Sequence, residues 1–137
     1  MKLDVVTQEG ARVKDLEMDE IVLPGVLGEM GILPGHKPMI MGLGIGPMII
    51  RSARGEERFA LSGGFVEVLG ESVRVLSETC ERAADVDAER ARAKLESAEK
   101  ALETMHPGEG EAWNAAYASV LKARTRLEVA GAASKPH

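Results

Sequence analysis

Up to about Thr79, apolar and polar residues alternate in short runs cut by turn residues. Each run predicts a half-buried strand, because successive side chains on a strand point to opposite faces. The runs are Leu3 to Thr7, Ala11 to Lys14, Met18 to Leu23, Gly31 to Leu33, Met39 to Leu43, Met48 to Ser52, Arg58 to Ser62, Phe65 to Leu69 and Ser72 to Leu76. Breaks at Arg54-Gly55, Gly63-Gly64 and Gly70-Glu71 sit where hairpins should turn. Strands this short and closely spaced predict a sandwich or a flattened barrel.

The period then changes. Ala84, Ala88, Ala91, Leu95, Ala98, Leu102 and Met105 recur at steps of 4 and 3, as do Trp113, Ala116, Val120, Ala123, Leu127 and Ala130. That spacing predicts two amphipathic helices. His106-Pro107-Gly108 and Gly110 break the pattern between them, so the helices must fold back as an antiparallel hairpin. Both stripes are rich in alanine, which buries far less apolar surface than leucine, at about 25 cal/mol per Å². The hairpin is therefore expected to be weakly held and able to detach and extend. The terminal stretch Ala132 to His137 is expected to fray.

Composition narrows the picture. The chain has 137 residues, enough for one domain or one domain with an appendage, and only 3% are aromatic, so the core must be aliphatic. Its net charge of −5 argues against a general nucleic-acid binder. Residues 1–86 carry 9 basic and 14 acidic side chains, while residues 87–137 carry 8 of each. Within the second part Lys122, Arg124, Arg126 and Lys135 make the last segment locally basic. The single cysteine, Cys80, forms no internal disulfide, which fits a reducing compartment. No apolar stretch approaches the ~20 residues of a membrane helix, and the N-terminus lacks a signal-peptide pattern, so direct membrane insertion is not expected.

The run Gly28-Glu29-Met30-Gly31-Ile32-Leu33-Pro34-Gly35-His36-Lys37-Pro38 predicts a tight corner between strands, since Gly supplies positive φ and Pro fixes φ. Together with Leu61-Ser62-Gly63-Gly64-Phe65-Val66-Glu67-Val68 and Val86-Asp87-Ala88-Glu89-Arg90-Ala91, this run resembles the epsilon subunit of F-type proton-translocating ATP synthases. The resemblance covers essentially the whole chain. It implies an α+β fold, with a β-sandwich of about ten short strands over residues 1–84 that binds the rotor. A regulatory antiparallel two-helix hairpin then occupies residues 85–137.

The same resemblance implies a non-catalytic rotor subunit on the cytoplasmic face of the bacterial inner membrane. It would couple rotation to proton flow and restrain ATP hydrolysis when the hairpin extends. The implied partners are the gamma subunit, the c-ring, and the beta and alpha subunits. The loop from Glu29 to Pro38 would face gamma and the c-ring, making Glu29, Gly31, His36 and Pro38 interface candidates. Lys122, Arg124 and Arg126 read either as a solvated helix face or as a docking patch for an acidic segment of beta.

Asp87 has two readings. It caps the first helix, with Glu89 favoured by the positive helix end and Arg90 solvated. Alternatively, Val86 to Ala91 resembles the Ile/Leu-Asp-x-x-Arg-Ala motif through which some epsilon subunits bind ATP. Asp87 would then accept from adenine or ribose, while Arg90, helped by Arg124 and Arg126, meets the phosphates. Valine in the first place, and Ser97 where ATP-binding relatives carry arginine, depart from that pattern. ATP is thus a regulatory ligand on one reading only, and no other cofactor is implied. The alternative function is an ATP sensor whose hairpin compacts on nucleotide.

No phosphate-cradling Gly-x-x-x-x-Gly-Lys-Ser/Thr occurs. His36 has no companion ligands at metal-site spacing, and Cys80 reads as an ordinary strand-end residue with no histidine nearby in sequence. His106 and His137 suggest no catalysis. A small hydrolase would need the fold to bring His36, Cys80 and an acid together.

Overall fold

The computed structural model describes residues 1–108 and 110–134, so Lys135 and His137 lie outside the described residues. Ten strands come first: β1 (Lys2–Thr7), β2 (Gly10–Glu17), β3 (Glu20–Gly25), β4 (Gly28–Ile32), β5 (Met39–Gly42), β6 (Ile45–Ser52), β7 (Gly55–Ser62), β8 (Phe65–Leu69), β9 (Ser72–Leu76) and β10 (Thr79–Arg82). They form two five-stranded sheets, β2-β1-β9-β8-β5 and β10-β7-β6-β3-β4. Neighbours are antiparallel except for β1 and β9, which run parallel. The inward positions of both sheets, among them Leu3, Val5, Ile21, Leu23, Met48, Ile50, Phe59, Val66 and Val75, form one aliphatic core with a single aromatic ring. Each such side chain contributes about 1.5–3 kcal/mol against ordering entropy.

Several boundaries depart from the sequence pattern. β10 has no counterpart among the nine runs, because Thr79-Cys80-Glu81-Arg82 alternates weakly and becomes a strand by pairing with Phe59 to Ser62. β4 starts at Gly28, so only Leu33 to Pro38 is a corner. β6 and β7 pair without a break from Ile45↔Ser62 to Ser52↔Gly55, overriding Gly46 and Pro47. Proline is tolerated there because β3 pairs with β6 only at Ile49, Ile50 and Arg51, leaving no ladder partner for the missing N–H. Gly63-Gly64 is not a hairpin turn: β7 and β8 lie in different sheets, and the pair carries the chain across.

After β10 a 3-10 turn spans Ala83–Asp85, followed by α1 (Ala88–Glu103) and α2 (Gly110–Ser134). Ala84 lies in the 3-10 turn and is exposed, outside the helical stripe to which its spacing assigns it. Ala91 and Ala98 are buried on α1; Val120 and Ala123 are buried on α2. Thr125 and Val129 are buried as well, although no single stripe contains them. Val129 is nine residues beyond Val120, two and a half turns, and so faces the opposite side. The cause is layering: α2 packs against α1 and also against β6 and β7. The buried Thr125 hydroxyl donates to the Leu121 carbonyl at 2.8 Å.

Candidate docking surfaces

On the outer face of the first sheet, strand register assembles a row no local pattern announces. Gly42 lies beside Phe65, Phe65 beside Leu76, and Leu76 beside Val6, across β5, β8, β9 and β1. Val26, in the β3–β4 turn, extends the row: its N–H donates to the Gly42 carbonyl at 3.1 Å. Val26 is 63% exposed, Ile40 71%, Phe65 44% and Leu69 64%. The neighbouring row is charged, Glu67 beside Arg74 and Arg74 beside Asp4. An apolar strip with a polar margin is the anatomy of a protein interface. The signal in the sequence was β8 itself, Phe-Val-Glu-Val-Leu, apolar on both parities and hence suited to burial on both faces.

Glu29 and Gly31 lie on β4, opposite Pro24 and Val22; His36 and Pro38 lie in the loop to β5. Because β4 and β5 are edge strands, one of each sheet, all four residues line the same lateral edge of the sandwich. The His36 ring nitrogen Nδ1 sits 2.8 Å from the Lys37 carbonyl, to which it donates when protonated there, and the His36 backbone N–H donates to Leu33 at 3.2 Å. These local bonds hold the corner, with Gly35 at φ 84°.

On the hairpin, Asp87 is the N-cap of α1: its Oδ1 accepts from the Arg90 N–H at 3.1 Å. Arg90 and Lys122 are exposed, and neither forms an ion pair among the described residues. Arg124 reaches Glu99 of α1 loosely, at 3.8 Å. Arg126 grips Glu81 of β10 with two bonds, Nε to Oε1 at 2.7 Å and Nη2 to Oε2 at 3.2 Å. Lys122 and Arg126, four apart, share one side of α2, and Arg124 lies on the other. The three cations therefore do not form a single face.

Lys122 and Arg126 instead line a cavity of about 600 Å³ between the β7–β10 edge and the hairpin, together with Arg12, Cys80, Glu81 and Lys94. Asp87, Arg90 and Arg124 do not line it. Cys80, near the start of β10, is buried, and burial pushes its thiol up to about 11. It stays protonated and is a poor nucleophile at neutral pH. His36 follows β4, at the opposite edge of the second sheet from β10, about 19 Å away at the usual strand spacing. Among the described residues no group of His, Cys, Asp or Glu is placed to hold a metal ion, and no helix is long and apolar enough to cross a membrane.

A sandwich with an exposed apolar strip on one sheet and a helical hairpin packed against the other defines a docking subunit. Residues 1–83 match the family described as the ATP synthase delta/epsilon chain, beta-sandwich domain. The ATP synthase epsilon chain of Geotalea uraniireducens is 40% identical over 98% of this chain and 96% of its own length. That of Geobacter sulfurreducens is 38% identical over the same shares. A chain in the Euglena gracilis mitochondrial ATP synthase OSCP/F1/c-ring structure superposes with a TM-score of 0.71 at 22% identity, covering 96% of this chain and 77% of that one. One from the Tetrahymena thermophila mitochondrial ATP synthase central stalk and c-ring gives 0.57 at 16% identity, over 98% and 96%. At such identities these two establish the fold alone. The chain belongs to the ATP synthase epsilon chain family. It is an accessory subunit rather than the catalytic one, and serves ATP synthesis and ion transport.

Proposed function

We propose that this chain is a central-stalk rotor subunit, peripheral on the cytoplasmic face of a bacterial inner membrane, whose sandwich couples rotation to proton flow. The apolar row Val26–Phe65–Leu76–Val6 carries the reading, since it is the surface that a partner must cover. We assign the gamma subunit to that row, and the c-ring to the edge bearing Glu29, Gly31, His36 and Pro38. The hairpin is the regulatory part, compact here. Extended, it would dock Lys122, Arg124 and Arg126 against an acidic segment of beta, within reach of alpha, and restrain hydrolysis. Its small-residue seams support this, because Ala91, Ala98 and Ala123 bury little surface each.

Deleting residues 87–137 leaves the row and the β4–β5 edge intact. The truncated chain is expected to bind gamma as the full chain does, and ATP hydrolysis by the reassembled enzyme is expected to rise severalfold. Loss of gamma binding on truncation would defeat the division of labour.

A second reading has the cavity in its favour. Its volume is within the range of small-ligand sites, and Lys94, Lys122 and Arg126 could face phosphates. Nucleotide held there would fasten the hairpin in its compact form, with Asp87, Arg90 and Arg124 outside its lining. Calorimetric titration with MgATP is then expected to show saturable binding that Lys122→Ala weakens and Arg90→Ala, outside the cavity, leaves unchanged. No heat at millimolar nucleotide leaves Asp87 as a helix cap only.

A further inference from the structure

Among the described residues, Glu81–Arg126 is the one ion pair that joins the sandwich to either helix. The chain between β10 and α1 offers little else: the 3-10 turn Ala83–Asp85 has no side-chain cap bond and no buried residue. Just before it, Arg82 is anchored, donating to Glu57 at 2.7 Å and to the Arg12 carbonyl at 3.3 Å, with its guanidinium 5.0 Å from the Phe59 ring centre. The strand end is thus fastened, the turn beyond it packs on α2 and β7 without a side-chain cap bond, and α1 packs mainly on α2. Any detachment of the hairpin must break Glu81–Arg126 at the point where α2 meets β10.

We propose that Glu81 is an internal competitor for Arg126, holding in the compact form the same guanidinium that the extended hairpin presents to an acidic partner surface. This rests on the regulatory reading above. Arg126 is 25% exposed and Glu81 32%, so the pair is partly shielded, and its two bonds match a carboxylate's geometry, as an external acidic side chain also would. Extension of the hairpin carries α2 away from β10, so Arg126 cannot keep its two bonds to Glu81 while it meets a partner's carboxylate. The compact and docked forms are therefore mutually exclusive at this residue, whatever else changes. Lys122, on the same side of α2 and without an ion pair, remains available for first encounter in either form, so approach of the partner does not require prior opening.

Two substitutions on opposite sides of the pair separate this device from simple packing. Glu81→Gln frees Arg126; Arg126→Ala removes it. Backbone hydrogen exchange of the isolated full chain is expected to quicken about fivefold in α2 for both. Their effects on the enzyme should diverge when each full-length chain is titrated into ATP synthase lacking this subunit. Glu81→Gln is expected to lower hydrolysis further than the unaltered chain does, and Arg126→Ala to lower it less. The exchanged pair Glu81→Arg with Arg126→Glu should restore slow exchange yet inhibit poorly, since position 126 then repels an acidic partner; this variant guards against a mere folding defect. Unchanged exchange in Glu81→Gln overturns the proposal, as does equal inhibition by Glu81→Gln and Arg126→Ala. If the unaltered chain itself leaves hydrolysis unchanged, the regulatory reading fails and takes the competition with it.

Discussion

Replacing Gly64 with alanine is expected to leave little folded protein. Gly64 holds φ at 103°, and a Cβ there would lie 1.9 Å from the Leu76 carbonyl oxygen and 2.8 Å from both the Leu76 carbonyl carbon and the Ser77 Cα. All three are backbone atoms, so no side-chain rotation relieves the clash. Moving the backbone is costly, because the crossing is fastened on both sides. Leu43 donates to the Gly64 carbonyl at 2.9 Å, Gly63 donates to Gly44 at 3.1 Å, and the buried Ser77 hydroxyl is 3.1 Å from the Gly63 carbonyl. A cost above about 4 kcal/mol follows, set against a total stability of about 5–15 kcal/mol. The control is Gly70→Ala: φ is also positive, at 61°, but nothing lies within 4 Å, so about 1 kcal/mol is expected. Urea unfolding of both variants tests this, and equal midpoints would refute the steric account.

Phe65→Glu is expected to weaken gamma binding roughly 100-fold while leaving the fold intact. Phe65 is 44% exposed, so the carboxylate sits in water in the free chain at small cost. In the complex it would be buried between Gly42 and Leu76. The nearest opposite charge on that face is Arg74, already beside Glu67 and Asp4. The penalty is therefore an unpaired charge at the centre of an interface rather than a lost contact. Tyr117→Glu makes the comparison: equally exposed at 42%, it lies on α2, away from the first sheet, and should bind gamma as the unaltered chain does. Circular dichroism checks the fold of both. Full affinity in Phe65→Glu would move the partner to another surface.

Much of this molecule was readable in windows of a few residues. Alternation placed most strands, the 3–4 period placed both helices, and Asp87 could be recognised as a cap because its bond spans only three positions. The candidate site was less legible. Lys122, Arg124 and Arg126 look like one basic cluster in sequence, but a helix turns 100° per residue and so divides them. Arg126 then finds a partner 45 positions away, which no neighbouring residue signals.

The residues themselves determined the periods, the turns, the aliphatic core and the helix cap, because each depends on backbone preference and side-chain spacing within one or two turns of chain. Tertiary structure alone decided that Gly63-Gly64 crosses between sheets and that Thr79–Arg82 becomes an edge strand. It also decided that α2 is buried on two sides, and that Val6, Phe65 and Leu76 become neighbours. Alternation specifies which face of a strand is buried but not which strand lies beside it. That choice is made by long-range burial and backbone pairing, and both the docking row and the grip on Arg126 arise from it.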